Sequence, residues 1–395
     1  LPIMGYTTDS EGEETSNPSF DKDCMKKYIA HPRVATNPAL TSVCKGIQSF
    51  RKLSTLNNFF VKPYQELHIG GVMHPTYNQA VHTGRLACKE PNSMQLNLAA
   101  KELVEIDGEE YVLASFDYSQ IEFRLIVNYI QNERALEAYR DNPYTDYHQW
   151  VADMAGIARQ PAKTLNFLMG YGGGKALAVQ KLQAEAEVIS MLNTQIDALV
   201  ASGELNESER ISYFDSMSRY QALDMYNTYH STLPELKPTT KAAEKACKKQ
   251  GYVTNLMGRR RYLPYGQAYK SFNNVCQSSA ADIVKDRMVA VNNARLSVIQ
   301  QGRRPDWLRF MAQVHDDLVM LVHKKYFTRQ FIRDMTYIME SVVPTHGVLD
   351  VPIVVDSEWS DTTWGAAKGN SPIIDRDLEP TDFRYEPTPV SYTHL

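Results

Sequence analysis

The chain has 395 residues, 43% hydrophobic and 22% charged, which is enough apolar material for two or three domains with buried cores and far from a disordered composition. Lysine and arginine total 42 against 46 acidic residues, a formal charge of −4, so bulk charge predicts no nucleic-acid partner and any polyanion site must be local. Five scattered cysteines (Cys24, Cys44, Cys88, Cys247 and Cys276) with no CxxC pair exclude a zinc ribbon or redox couple and fit reduced thiols inside a cell, and no apolar run approaches the roughly 18–20 residues of a membrane span.

The first residue is Leu1 rather than a start methionine, so the chain is expected to be an N-terminally truncated piece of something longer. Residues 1–20 are acidic and rich in Ser, Thr and Gly, which predicts a disordered lead-in. Helical pattern begins near Asp21. Tyr111 to Asp117 is β-prone and apolar up to a terminal carboxylate, and Ile121, Leu125 and Tyr129 then recur at helical spacing, so a strand is expected to deliver Asp117 to the start of a helix. From about Asn132 to Gln250 nearly everything reads as helix, including amphipathic stretches at 180–202 and 206–228, with breaks at Gly203, Pro234 and Pro238. Trp307–Val314 and Leu318–Val322 flank a His-Asp-Asp tip, the pattern of a β-hairpin with carboxylates at its turn. A last strand is expected over Val351–Asp356, and the proline-rich, aperiodic stretch 372–395 is set aside as a disordered tail. There is no internal repeat of solenoid period. The implied fold is α+β: a small sheet with acidic residues at its strand ends and a large helical insertion between them, making Asp117 and Asp316 candidate neighbours.

Taken singly, an aspartate after a strand is an ordinary turn residue. Two brought together repel unless a cation lies between them, and their hard oxygens suit Mg²⁺. Arg159, Lys163, Phe167 and Tyr171 follow at steps of four from near Pro161, a residue tolerated in a first helical turn. They form a slanting stripe about 18 Å long. Two cations followed by two aromatics fit a nucleotide, its phosphates toward the helix N-terminus and its sugar or base toward the rings. Gly170-Tyr-Gly-Gly-Gly174 then marks a helix end that must flex or pack closely.

Together these pieces resemble the DNA polymerase I-like family A DNA polymerases, of phage or bacterial type. Asp117-Tyr-Ser-Gln-Ile-Glu122-Phe-Arg124 is similar to the family's motif A, Arg159-x3-Lys163-x3-Phe167-x3-Tyr171-Gly172 to motif B, and Gln313-Val-His315-Asp316-Asp317 to motif C. Thr83-Gly-Arg85-Leu86 with Pro91-Asn92, Asp146-Tyr-His148, and Asn273-x3-Gln277-x3-Ala281-Asp282 stand in the family's order as well, and the likeness runs from about Leu40 to Trp359.

The resemblance implies a right-hand polymerase with a small antiparallel palm sheet, a large helical fingers insertion and a partial helical thumb. Its expected boundaries are lead-in 1–20, thumb 21–64, palm 65–124 and 266–371, fingers 125–265 and tail 372–395. It implies template-directed addition of dNTPs to a primer 3′-hydroxyl in DNA replication, with primer–template DNA and dNTPs as partners, no membrane, replication accessory proteins possible, and the cytoplasm of a bacterial or phage-infected cell as location. Two Mg²⁺ ions would be held by Asp117 and Asp316, with the Tyr118 carbonyl as a further ligand. His148, Arg159 and Lys163 would bind the incoming triphosphate, and Lys163 would also donate a proton to pyrophosphate. Glu122, packed with Tyr171, would fill the space of a ribose 2′-hydroxyl, and Phe167 beside the sugar would disfavour dideoxynucleotides. Arg85, Asn273, Gln277, Gln313 and His315 would contact the primer terminus and minor groove, where donors test pair geometry without reading sequence. The basic Gly258-Arg-Arg-Arg-Tyr-Leu-Pro264 is a candidate contact to template phosphates.

Four departures stand out. Motif C usually ends in Glu where this chain has Asp317, which leaves the role of that carboxylate open. Tyr269, with Lys270 beside it, occupies a position where the family commonly has Arg. The stretch from Gly174 to Gly251 is longer than usual, suggesting an added element. The segment before Arg85 is too short for a full thumb and leaves no room for a proofreading domain, so weak DNA affinity and poor processivity are expected. A single-subunit RNA polymerase shares several of these elements, but Glu122 and Phe167 argue against it; a catalytically weak primer–template binding module is the alternative from a different class.

Overall fold

The computed structural model describes residues 6–8, 14–372 and 374–384. In chain order its elements begin with β1 (Tyr6–Thr8), β2 (Glu14–Pro18), α1 (Lys22–Ala30), α2 (Pro32–Ala35) and α3 (Pro38–Leu56). A π-helical turn, Asn57–Val61, leads into α4 (Lys62–Leu67), β3 (Thr76–Asn78), β4 (Ala87–Lys89), α5 (Leu98–Lys101) and β5 (Tyr111–Tyr118). Eight helices follow: α6 (Ile121–Ile130), α7 (Glu133–Asp141), α8 (Tyr147–Ala155), α9 (Arg159–Gly170), α10 (Lys175–Gln183), α11 (Ala186–Ser202), α12 (Arg210–Thr232) and α13 (Leu236–Gln250). The chain continues through β6 (Tyr252–Thr254), β7 (Arg260–Tyr262), α14 (Ser271–Gln300), β8 (Leu308–Val314), β9 (Asp317–His323), α15 (Arg329–Glu340) and β10 (Val355–Ser360). These elements fall into two units, Leu1–Thr55 with Asp146–Pro238, and Leu56–Thr145 with Thr239–Leu395.

The first unit is built on helices. Val188, Ile189, Leu192 and Ile196 recur along one face of α11 and pack on Phe214 of α12, the spacing of an amphipathic helix. Gly203 ends α11 with φ of 78°, a left-handed conformation that glycine adopts without steric cost. Two details differ from expectation. The amphipathic stretch 180–202 is divided at Ala184 between α10 and α11, and Pro238 breaks nothing because it is the third residue of α13, where a missing N–H costs no helical bond. Ahead of the helices, β1 and β2 pair antiparallel, so part of the 1–20 stretch expected to lack structure forms a short ladder.

The second unit carries a four-stranded antiparallel sheet of order β10-β5-β9-β8. The central strand β5 is buried on both faces, which is why it reads as a near-continuous apolar run. Val112, Ala114, Phe116 and Tyr118 belong to the core shared with α14 and α15, while Leu113 packs with Val319, Trp364 and Ala367 on the opposite side. The register sets Asp117 opposite Asp317 on one neighbour and opposite Asp356 on the other, so alternation places all three on the Leu113 face. The last strand begins at Val355 rather than Val351; Val351, Ile353 and Val354 are apolar because they are buried, without pairing in the sheet.

The stretch set aside as a tail is a correction. Asp334 of α15, fully buried, accepts hydrogen bonds from Thr381 N (2.7 Å), Thr381 Oγ1 (2.5 Å) and Phe383 N (2.8 Å). Phe383 is buried between Trp307 and Phe331, with ring centroids 5.2 and 5.7 Å away. Proline content and lack of periodicity hid this docking because its partner is a carboxylate on a helix elsewhere in the unit. Residues 385–395 lie outside the described residues.

Candidate active site

The hairpin of β8 and β9 turns in two residues, His315 and Asp316. His315 takes φ of 58°, the left-handed conformation that a two-residue hairpin turn needs at its first central position. The turn is braced from behind: Gln313 Nε2 donates to the His315 carbonyl, and the Tyr77 hydroxyl bonds Gln313 N (3.2 Å) and O (3.3 Å). Tyr118 N donates to the Asp316 carbonyl at 3.3 Å, which ties the end of β5 to this tip. Asp117 and Asp316, 199 positions apart in sequence, thus meet at adjoining strand ends, as their pattern predicted.

Like charges crowd there. Enclosure by the surrounding protein, then the charges of Asp316, Asp317 and Asp356, raise the Asp117 carboxyl well above the usual carboxylate range, with Lys101 pulling it down. Solvent reaches the Asp117 side chain from the cleft, yet protein encloses it on the other sides, and three neighbouring carboxylates add to the effect. Burial likewise raises Asp316, against the pull of its own backbone N–H, Arg85 and His315. Asp317 is pushed up to about 6 by burial, although Ser115 Oγ donates to both its oxygens (2.7 and 2.8 Å). A cavity of about 590 Å³ opens on this face, its wall including Ser115, Asp117, Asp317, Asp356, Glu358 and Lys101.

Among the described residues no three His, Cys, Asp or Glu side chains are gathered into a closed metal cage. The donors fit a divalent cation in another way: two crowded carboxylates at a strand end, beside the backbone of Tyr118, offer hard oxygens whose mutual repulsion such an ion would relieve.

The other expected site residues of this unit differ in how far the protein engages them. Glu122 is buried and forms an ion pair with Arg85. Arg124 lies in the interior, donating to the carbonyls of Ser119 (2.6 Å), Pro352 (2.8 Å) and Pro143 (2.7 Å) and covering the Tyr139 ring. Asn273 and Gln277, half-buried, stand one helical turn apart on α14, and the Asn273 side-chain oxygen is buried without a partner. Asp282, further along that helix, takes a bidentate pair from Arg259 (2.5 and 2.7 Å), which removes Arg259 from the basic run.

In the first unit, Asp146 caps α8 through His148 N (2.9 Å) and accepts both Nε (2.9 Å) and Nη2 (2.7 Å) of Arg159. Arg159 is exposed, and Lys163, Phe167 and Tyr171 are half-exposed, while Ala162, Leu165, Asn166 and Met169 bury the opposite face of α9. Tyr171 caps the helix just past its last turn. The Phe167 ring lies 5.7 Å from the rings of both His148 and Tyr171. His148 is buried and its pKa lowered to about 4, chiefly by burial, with Asp146 opposing and Arg159 and Lys163 assisting. The Asn166 amide nitrogen, 3.0 Å from Nδ1, donates there and leaves the ring proton on Nε2.

Sequence reasoning missed Ser115, Lys101, Asp356, Glu358, Tyr77 and Asn166. Asp356 had a signal, since it lay at the end of an expected strand; the others depend on strand register and helix packing, which no local pattern reports.

A family model described as DNA polymerase family A matches residues 8–195 and 206–366, and the chain belongs to that family. The match runs through most of the 174–251 stretch expected to hold an added element, and its interruption is confined to the end of α11 and the loop before α12. Among relatives, a DNA-directed DNA polymerase of Pseudomonas phage M6 is 28% identical over 392 residues, covering 89% of this chain and 54% of that protein. DNA polymerase I of Geobacillus stearothermophilus is 26% identical over 93% of this chain and 38% of its own length. The chain therefore spans roughly a third to a half of the curated relatives it matches. The POL domain of Pol1 from M. smegmatis, solved in complex with a DNA primer-template and dNTP, shares the fold at a TM-score of 0.67 with 22% identity, over 93% of this chain and 59% of that one. Among the described residues no helix is long and apolar enough to cross a membrane.

Proposed function

We propose that the chain adds dNTPs to a primer 3′-hydroxyl under the direction of a DNA template, in the replication of DNA in a bacterial or phage-infected cell. One observation carries the reading: Asp117 and Asp316 converge at adjoining strand ends, each with its carboxyl raised by burial, and Asp117 further by the charges of Asp316, Asp317 and Asp356. Asp117, Asp316 and the Tyr118 carbonyl would hold two Mg²⁺ ions, which when bound lower the pKa of the attacking hydroxyl and neutralise charge on the triphosphate. Arg159 and Lys163 bind the phosphates, the His148 Nε2–H donates to them, and the Lys163 ammonium donates a proton to the leaving pyrophosphate. Glu122 takes the space of a 2′-hydroxyl, its position fixed by Arg85. Arg85, Asn273, Gln277, Gln313 and His315 meet the primer end and minor groove. The palm is assigned to 65–124 and 266–371, the fingers to 125–265 and a partial thumb to 21–64.

Primer extension with Mg²⁺, scored with dNTPs and rNTPs separately, tests this. Extension with dNTPs in preference to rNTPs is expected; absence of any extension, or equal use of both sugars, would remove the assignment.

A further inference from the structure

The family match ends at residue 366, and the described residues after it stay with the second unit, running back along α15 as a strap. Gly369 N donates to Glu358 (2.9 Å), Trp359 N donates to the Asn370 carbonyl (3.0 Å), and the Asn370 side chain donates to the Trp359 carbonyl (3.0 Å). Further on, Arg333 and Gln330 of α15 donate to the carbonyls of Leu378 (2.7 Å) and Glu379 (2.8 Å), just ahead of the Thr381 and Phe383 clasp on Asp334. Between these two anchorages Arg376 forks onto Glu340, the last residue of α15, with Nη1 and Nη2 at 2.6 and 2.8 Å from its two oxygens. The same guanidinium lies over the Tyr144 ring, 5.4 Å from its centroid.

Glu340, its side chain 16% exposed, has a second task. Its Oε1 accepts from Val355 N at 2.9 Å, and Val355 is the first residue of β10. One residue earlier, the Met339 carbonyl accepts from the Tyr118 hydroxyl at 2.8 Å. The end of α15 therefore holds β10 and β5 where the register sets Val355 opposite Tyr118 and Asp356 opposite Asp117. β10 is an edge strand, paired on one side only, so no second ladder fixes its start. A carboxylate this enclosed keeps its place while its charge is matched, and a bidentate fork both matches the charge and sets the orientation of the oxygens.

We infer that Arg376, on a segment beyond the family match, is a positioning residue for the reaction: through Glu340 and Val355 it fixes the strand end that borders Asp117, and so sets how well that carboxylate meets a divalent cation. The inference rests on the reading above, in which Asp117 holds such an ion. Arg376 acts from behind the sheet, through one ion pair and one backbone hydrogen bond. Its influence therefore falls on cation affinity and on the rate of the chemical step, and not on dNTP affinity.

Amide exchange, Mn²⁺ binding and single-turnover incorporation by the full chain test the inference. In metal-free buffer, exchange in peptides spanning Val355 and Asp356, read by mass spectrometry, is expected to be about tenfold faster in R376A than in the wild type and close to wild type in R376K. Mn²⁺ binding, followed by electron paramagnetic resonance, should weaken about fivefold in R376A. Incorporation at saturating dNTP should slow about tenfold with apparent dNTP affinity unchanged, and R376K should recover most of the rate. All are read well below each variant's melting temperature, where a strap that only stabilised the fold would leave rate and Mn²⁺ affinity untouched. If R376A does not fold, R376A/E340Q, which leaves no lone charge, takes its place under the same expectations. Wild-type exchange at Val355, unchanged Mn²⁺ affinity, an unchanged rate, a loss confined to dNTP affinity, or a lysine variant as impaired as the alanine one would each overturn the inference. A wild type that extends no primer and binds Mn²⁺ no better than Asp117→Ala, with the exchange contrast intact, would remove the polymerase reading and leave the linkage from Arg376 to Val355 standing.

Discussion

The acidic strand ends of the second unit and the basic, aromatic face of α9 in the first are charged in opposite senses and balanced in opposite ways. Around α9 the balance is internal: Arg159 is forked onto Asp146, and His148 is kept neutral with its tautomer set by Asn166. At the sheet the balance is incomplete: Lys101 and Arg85 pull downward, yet burial raises Asp117, Asp316 and Asp317, and neighbouring acids add to it at Asp117 and Asp317. A site finished by its own hydrogen bonds is preorganised for an anion, whereas one left with surplus like charge is completed by a cation from outside.

Substitution at the two regions should separate these roles. Asp117→Ala or Asp316→Ala should reduce extension by about 10⁴-fold, and Lys163→Ala by about 10²–10³-fold, measured by single-turnover incorporation. A lysine variant as impaired as the aspartate variants would place the greater part of catalysis on α9 instead.

The pH dependence of stability gives the next largest effect. His148 has a folded pKa near 4, below the 6.5 of an ordinary histidine, so between those values the unfolded chain binds more protons than the folded one. Stability should therefore be full above about pH 6.5 and fall by on the order of 3 kcal/mol as pH drops toward 4. Urea titrations of wild type and His148→Gln across this window would show the slope, and equal slopes would contradict a buried neutral imidazole.

A smaller effect belongs to the sheet. In metal-free buffer Asp117→Asn should raise the melting temperature by about 2–4 °C, since it removes one of the mutually repelling charges. Added Mg²⁺ should stabilise the wild type more than this variant. A lower melting temperature in the variant without metal would show that Asp117 is not repelled by its neighbours.

Much of this division is legible in the amino-acid sequence. Asp117 and Asp316 each follow an apolar, β-prone run, and the four-residue rhythm of Arg159, Lys163, Phe167 and Tyr171 marks one helical face. What escapes is decided by partners distant in sequence. Register, not composition, sets Asp356 beside Asp117, and Ser115 reaches Asp317 through the same pairing. The Arg85–Glu122 pair requires a fold to bring the two together, and Arg124, two residues from Glu122, points instead at three carbonyls.

The docking of Thr381 and Phe383 onto Asp334 has a practical corollary. Anyone trimming the proline-rich end for expression would meet a threshold: cutting beyond Arg384 leaves the clasp intact, but cutting before Thr381 uncovers Trp307 and Phe331 and leaves Asp334 with only Gln330 of its described donors. A purification handle belongs after that clasp.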